Sequence, residues 1–123
     1  MKTNQNLTGM DDEISYHYSQ LIYYIDTLLK YYKEVKIHKF YNGLTELDLG
    51  QNPDQIYLQL RKLKDKVFNI EYKFSNEIMD FKNWFLSFSI FFHNQKFELK
   101  NTQVQFCFFK IFYHIDKILS LLI

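Results

Sequence analysis

Residues 53–94 read PDQIYLQLRKLKDKVFNIEYKFSNEIMDFKNWFLSFSIFFHN, and their spacing decides the fold class. Ile56, Leu60, Leu63, Val67, Ile70 and Phe74 recur in alternating steps of four and three residues. Such steps hold apolar side chains on one face of an α-helix, the a/d stripe of a heptad pattern. One further four-residue step leads to Ile78, after which Phe81, Phe85, Phe88 and Phe92 resume the alternation. The doubled step acts as a stutter and locally relaxes a supercoil. Ahead of the stripe, Asn52 is a capping residue, Pro53 suits the first helical position and Asp54 favours the positive end of the helix dipole. No glycine or proline interrupts 54–94, so the stretch is read as one helix over 53–94, on the order of 60 Å long at ~1.5 Å per residue. The weak point is Phe74-Ser75-Asn76-Glu77, where Ser75 can cap a new helix and turn three helices into four.

The same stripe recurs on either side. Ile14, Tyr18, Leu21, Ile25, Leu28 and Tyr32 predict a helix over 11–41. Asp11, Asp12 and Glu13 are placed to favour its start, and Lys33, Lys36, His38 and Lys39 precede a stop at Asn42-Gly43. A competing reading makes Asn42-Gly43 a hairpin turn between 35–41 and 44–49; the helix is the reading adopted. Val104, Phe108, Ile111, Ile115, Ile118 and Leu122 predict a third helix over 102–123, with Thr102 as its cap. Residues 1–10 read as a mobile polar tail, and 44–52 and 93–101 as connections. The expected fold is all-α: three long antiparallel helices forming a coiled-coil-like bundle in a single domain over 11–123, or a four-helix bundle if the second helix breaks near Ser75. Leu63, Val67, Ile70, Phe81, Phe85, Ile111 and Ile115 are the expected core.

Composition narrows the function classes. A chain of 123 residues is long enough to bury a core without disulfide or metal staples. Aromatic residues make up 20%, against a disordered chain. Part of that load fits AT-rich codons, since Ile, Lys, Asn, Phe and Tyr are abundant and Arg61 is the only arginine. The net charge of +1 gives no global field toward nucleic acid or anionic lipid. Cys107 stands alone, which fits a reducing compartment, and the first residues lack the apolar run of a signal peptide. An intracellular location is therefore expected. No membrane span is expected either: 104–123 carries Lys110, His114, Asp116 and Lys117, which are costly at bilayer depth, and 78–92 is too short.

The chemistry-bearing residues are sparse. His17, His38, His93 and His114 never stand three or four residues apart, so no helical metal pair arises. Cys107 lies two turns from His114, but its neighbours Phe106, Phe108 and Phe109 favour the protonated thiol over a nucleophilic thiolate. Cys107 reads as a small core residue and His114 as a residue on the polar edge. Gly9, Gly43 and Gly50 form no phosphate-cradling loop. The expectation is a non-enzymatic protein with no cofactor and no metal. Lys30, Lys33, Lys36 and Lys39 interleave with tyrosines, and Arg61 and Lys62 form a second basic run, which supports nucleic-acid binding as an alternative. Glu34, Asp54 and Asp65 among them favour an ordinary solvated face.

Apolar surplus is the remaining signal. A three-helix monomer needs one stripe per helix, yet Trp84, Phe91, Phe106, Phe109, Phe112, Leu119 and Leu121 lie off the stripes. Large exposed apolar patches mark interfaces. These seven are the candidate partner interface of a structural or scaffold subunit in a hetero-oligomeric protein assembly. A homo-oligomeric coiled coil is the alternative, followed by a nucleic-acid-binding accessory subunit.

Overall fold

A computed structural model describes the backbone of residues 2–38, 53–70, 75–94 and 102–122, and within them the side chains of 12–35, 53–67, 78–91 and 102–122. The described residues form four α-helices and no strand: α1 Lys2–His38, α2 Pro53–Ile70, α3 Ser75–Asn94 and α4 Thr102–Leu122. Each helix packs against its neighbours in a ring, α1 on α2, α2 on α3, α3 on α4 and α4 back on α1, with α1–α4 the most extensive pairing. His17 meets His114 while Tyr24 meets Phe106, so α1 and α4 run antiparallel.

The single helix expected over 53–94 is corrected to two. Lys66 Nζ lies 5.3 Å from the centre of the Trp84 ring, whereas one straight helix would hold these residues roughly 27 Å apart. The physical reason is length matching. α1, with 37 residues, could flank a continuous second helix along most of its length, but α4, with 21 residues, could not, so the face turned to α4 would stay about half uncovered. Folding back sets Ile78, Phe81, Phe85 and Phe88 inside the bundle, where all four are buried. Burying side chains of this size stabilises by ~1.5–3 kcal/mol each, far more than a helical connection contributes. Residues 71–74 lie outside the described set, and Ser75 opens α3.

Two boundaries also move. The backbone of α1 is helical from Lys2, through the segment read as a polar tail, so Asp12 and Glu13 stand beyond its first turn and do not act as its N-terminal charges. At the other end α1 continues to His38, which removes 35–38 from the alternative strand; 39–52 lie outside the described residues. α2 opens at Pro53 with Asp54 in its first turn, as the capping signals predict.

The core follows the stripes. Leu21, Ile25, Leu28, Tyr32 and Val35 from α1, Ile56, Leu60, Leu63 and Val67 from α2, and Ile111, Ile115 and Ile118 from α4 are at most 2% exposed. Of the expected core, Leu63, Val67, Phe81, Phe85, Ile111 and Ile115 are buried, and the side chain of Ile70 lies outside the described set. α4 is buried over a wider arc than its a/d stripe, with Cys107, His114 and Leu119 joining it, because it packs against both α1 and α3. Truncating Leu63 or Ile111 to alanine is expected to cost about 2–5 kcal/mol in urea denaturation. A loss below ~1 kcal/mol would show that neither side chain supports the core.

Candidate functional site

The α1–α4 seam gathers most of the polar and aromatic chemistry. On its outer side, α4 presents Phe106, Phe109 and Tyr113, spaced by three and four residues and 50%, 63% and 41% exposed. α1 adds the exposed Tyr16 and Tyr23. Lys110 Nζ lies 5.5 Å from the Phe106 ring centre and 5.6 Å from that of Tyr113, and Lys117 Nζ lies 5.6 Å from Tyr113. These cations rest on aromatic faces, where the ring quadrupole attracts them by ~0.5–1 kcal/mol at exposed sites. Between the two helices opens a groove of about 450 Å³, walled by Tyr23, Tyr24, Tyr31, Gln103 and Phe106, with Cys107 among its lining. A second apolar strip, Met79, Leu86 and Ile90, runs along the outside of α3.

Beneath the tyrosines sits a contact that sequence reading missed. His17 Nδ1 and His114 Nδ1 are 2.9 Å apart, joining α1 to α4 across 97 residues of chain. Both rings are buried, which corrects the placement of His114 on a polar edge. Tyr24 stacks on His114 at 6.0 Å and 14°, and Tyr113 meets it edge-on at 5.1 Å. His17 Nε2 faces Glu13 Oε1 at 4.0 Å. Burial first, then the neighbouring His17, then Lys110, hold the His114 imidazole below the usual histidine range. Burial likewise pushes the Cys107 thiol and the Tyr32 hydroxyl up, toward their protonated forms. Among the described residues no group of three or more His, Cys, Asp or Glu side chains is placed to hold a metal ion.

The seven interface candidates divide. Phe106 and Phe109 are exposed together on α4. Phe91 and Leu121 are half-buried. Trp84 stacks on Phe88 at 5.6 Å, and Phe112 fits between Phe85 at 5.5 Å and Phe88 at 6.1 Å, so both pack against the chain's own core. Leu119 is buried within it. Of the basic residues, Lys30 and Lys33 are exposed on α1, and Arg61 and Lys62 on α2. The Arg61 guanidinium lies 6.0 Å over the Tyr57 ring. Lys64, between the basic residues of α2, pairs with Asp26 at 2.7 Å; the pair is half-exposed and contributes ~0–1 kcal/mol. The Lys36 side chain and Lys39 lie outside the described residues.

The chain matches no family model, no curated protein and no solved structure in the three comparisons made with known proteins. No described helix is long and apolar enough to cross a membrane.

Cys107 supplies a test of the seam's packing. With its thiol buried and held protonated, it is expected to resist a thiol-specific reagent at neutral pH and to react once the chain is unfolded in urea. Rapid labelling of the native chain would show that the groove beside Cys107 admits the reagent to the thiol.

Proposed function

We propose that the chain is a non-catalytic structural subunit that binds a partner protein through the aromatic face of α4 and α1, within a hetero-oligomeric assembly. The observation that carries this reading is the stripe of Phe106, Phe109 and Tyr113, left largely exposed after the chain has buried its own core. Its spacing is that of one helix face, suited to accepting another helix along it. The groups with most chemical potential support the same reading, since they serve packing: Cys107 is buried and protonated, and the two seam histidines face each other. Lys110 and Lys117 lie against rings of the stripe, a polar border for an apolar contact. Because Trp84, Phe112 and Leu119 pack against the chain's own core, the reading centres on Phe106 and Phe109 with Tyr113, Tyr16 and Tyr23 beside them.

The test places a photo-crosslinking amino acid at Phe109 of the full chain in its native cells, with the exposed Gln55 of α2 as control. One recurrent protein adduct at 109 and none at 55 is expected. In parallel, the Phe106→Gln, Phe109→Gln double variant is expected to change folding stability by less than ~0.5 kcal/mol, as surface substitutions do, while losing that partner. Unfolding of the double variant would place the rings in the chain's own core and overturn the reading. Adducts formed only with a second copy of the chain would replace it with self-assembly, and adducts formed only with nucleic acid would replace it with a nucleic-acid-binding role.

A further inference from the structure

The buried imidazoles of the α1–α4 seam carry an inference independent of any partner. Each imidazole nitrogen either bears a hydrogen or offers a lone pair. With Nδ1 facing Nδ1 at 2.9 Å, one must donate and the other accept. Two neutral rings meet that demand in complementary tautomers, and a pair holding one extra proton meets it as well, as N–H⁺···N. Two protonated rings cannot, because each Nδ1 would aim a hydrogen at the other and two like charges would share a buried seam. Charged and aromatic groups surround the pair. Glu13 Oε1 faces His17 Nε2 at 4.0 Å. On the α4 side Lys110 brings further positive charge, Lys117 lies over the Tyr113 ring, and the rings of Tyr16, Tyr24 and Tyr113 pack around the pair.

We propose that His17 and His114 form a proton-operated latch between α1 and α4, closed with no proton or one proton shared and opened by a second. The sign follows from where the second proton binds more readily. In the unfolded chain both histidines titrate near their usual value of about 6.5. In the folded chain His114 is held lower by burial, by His17 and by Lys110. The latch therefore contributes its full stability above the unfolded value and loses it as pH falls below. In that window the unfolded chain binds about one proton more than the folded one, so the folding constant falls by up to about tenfold per pH unit. Opening loosens the most extensive helix pairing in the bundle and frees the tyrosines packed over the pair.

Two measurements on the full chain test this. In nitrogen NMR of the imidazoles, the neutral protein is expected to show one ring protonated at Nδ1 and the other bare there. Acidification from about pH 7.5 to about pH 5 is expected to give two separate steps instead of one common titration, as coupled sites do. Denaturation across the same range then compares the wild type with the double variant His17→Leu, His114→Phe, which replaces both polar partners by apolar ones. The wild type is expected to lose stability on acidification more steeply, by up to about tenfold per pH unit in the folding constant. Equal pH dependence in the two proteins would overturn the latch. So would two rings that both lack the Nδ1 hydrogen and titrate together in the ordinary range, a result that stands even if the double variant does not fold.

Discussion

α4 buries Val104, Cys107, Phe108, Ile111, His114, Ile115, Ile118 and Leu119, an arc too wide for one neighbouring helix to cover. A helix of this kind must sit between two others. α1 covers one side of the arc, the side of Cys107 and His114. The other side, where Phe112 points, needs a second apolar surface, and α3 supplies it through Phe85 and Phe88. That demand accounts for the fold-back between α2 and α3. A long helix continuing past α2 would have carried the phenylalanines of α3 away from α4 and left both surfaces in water. At ~25 cal/mol per Å² of apolar area, the exposed rings outweigh the few backbone hydrogen bonds that a turn gives up, each worth only about 0.5–1.5 kcal/mol net.

What remains outside is set by the same packing. Once α4 is flanked by α1 and α3, its free edge carries Phe106, Phe109 and Tyr113. The net charge of +1 gives the molecule no strong long-range field of either sign. The edge is apolar in character, with Lys110 and Lys117 lying along the rings as amphipathic cover. The Met79, Leu86 and Ile90 strip on α3 has no aromatic ring, so the two exposed strips differ in chemistry as well as position.

Much of this was legible in the sequence, and what was not has particular causes. The stripes of α2 and α4 predicted their buried faces because a repeat of four and three residues survives any tertiary arrangement. The break before Ser75 was weakly marked, since neither glycine nor proline punctuates it. Its real signal was the mismatch in length between a stripe over 53–92 and the much shorter one over 104–122, and that is a property of the whole chain. Phe112 and Leu119 lie off the a/d stripe, which from sequence alone places them among the partner-interface candidates. A helix with two neighbours buries positions beside the stripe as well, so off the stripe did not mean exposed. Phe106 and Phe109 lie farther round and stayed outside. The histidine pair joins residues 97 positions apart, and no local spacing reports such a contact. A hint was present all the same: His17 stands four residues before Leu21, and His114 three after Ile111 and four before Ile118, which are core positions.

That placement explains how a polar contact fits a core otherwise built from Leu, Ile, Val and Phe. Apolar side chains tolerate small slips along a helix, because one branched residue replaces another at little cost. A hydrogen bond between two rings does not. Sliding α4 along α1 by a single turn, about 5.4 Å, would separate the two Nδ1 atoms and set each imidazole against hydrocarbon. An unpaired buried polar group costs ~1–3 kcal/mol, so the slip loses on the order of the free energy that one core methyl-rich side chain contributes. A polar pair of this kind distinguishes one register from its neighbours, as single polar residues do in helical seams. The same geometry that fixes the register also limits the charge the seam accepts. One contact thereby ties the alignment of α1 and α4 to the protonation of two rings.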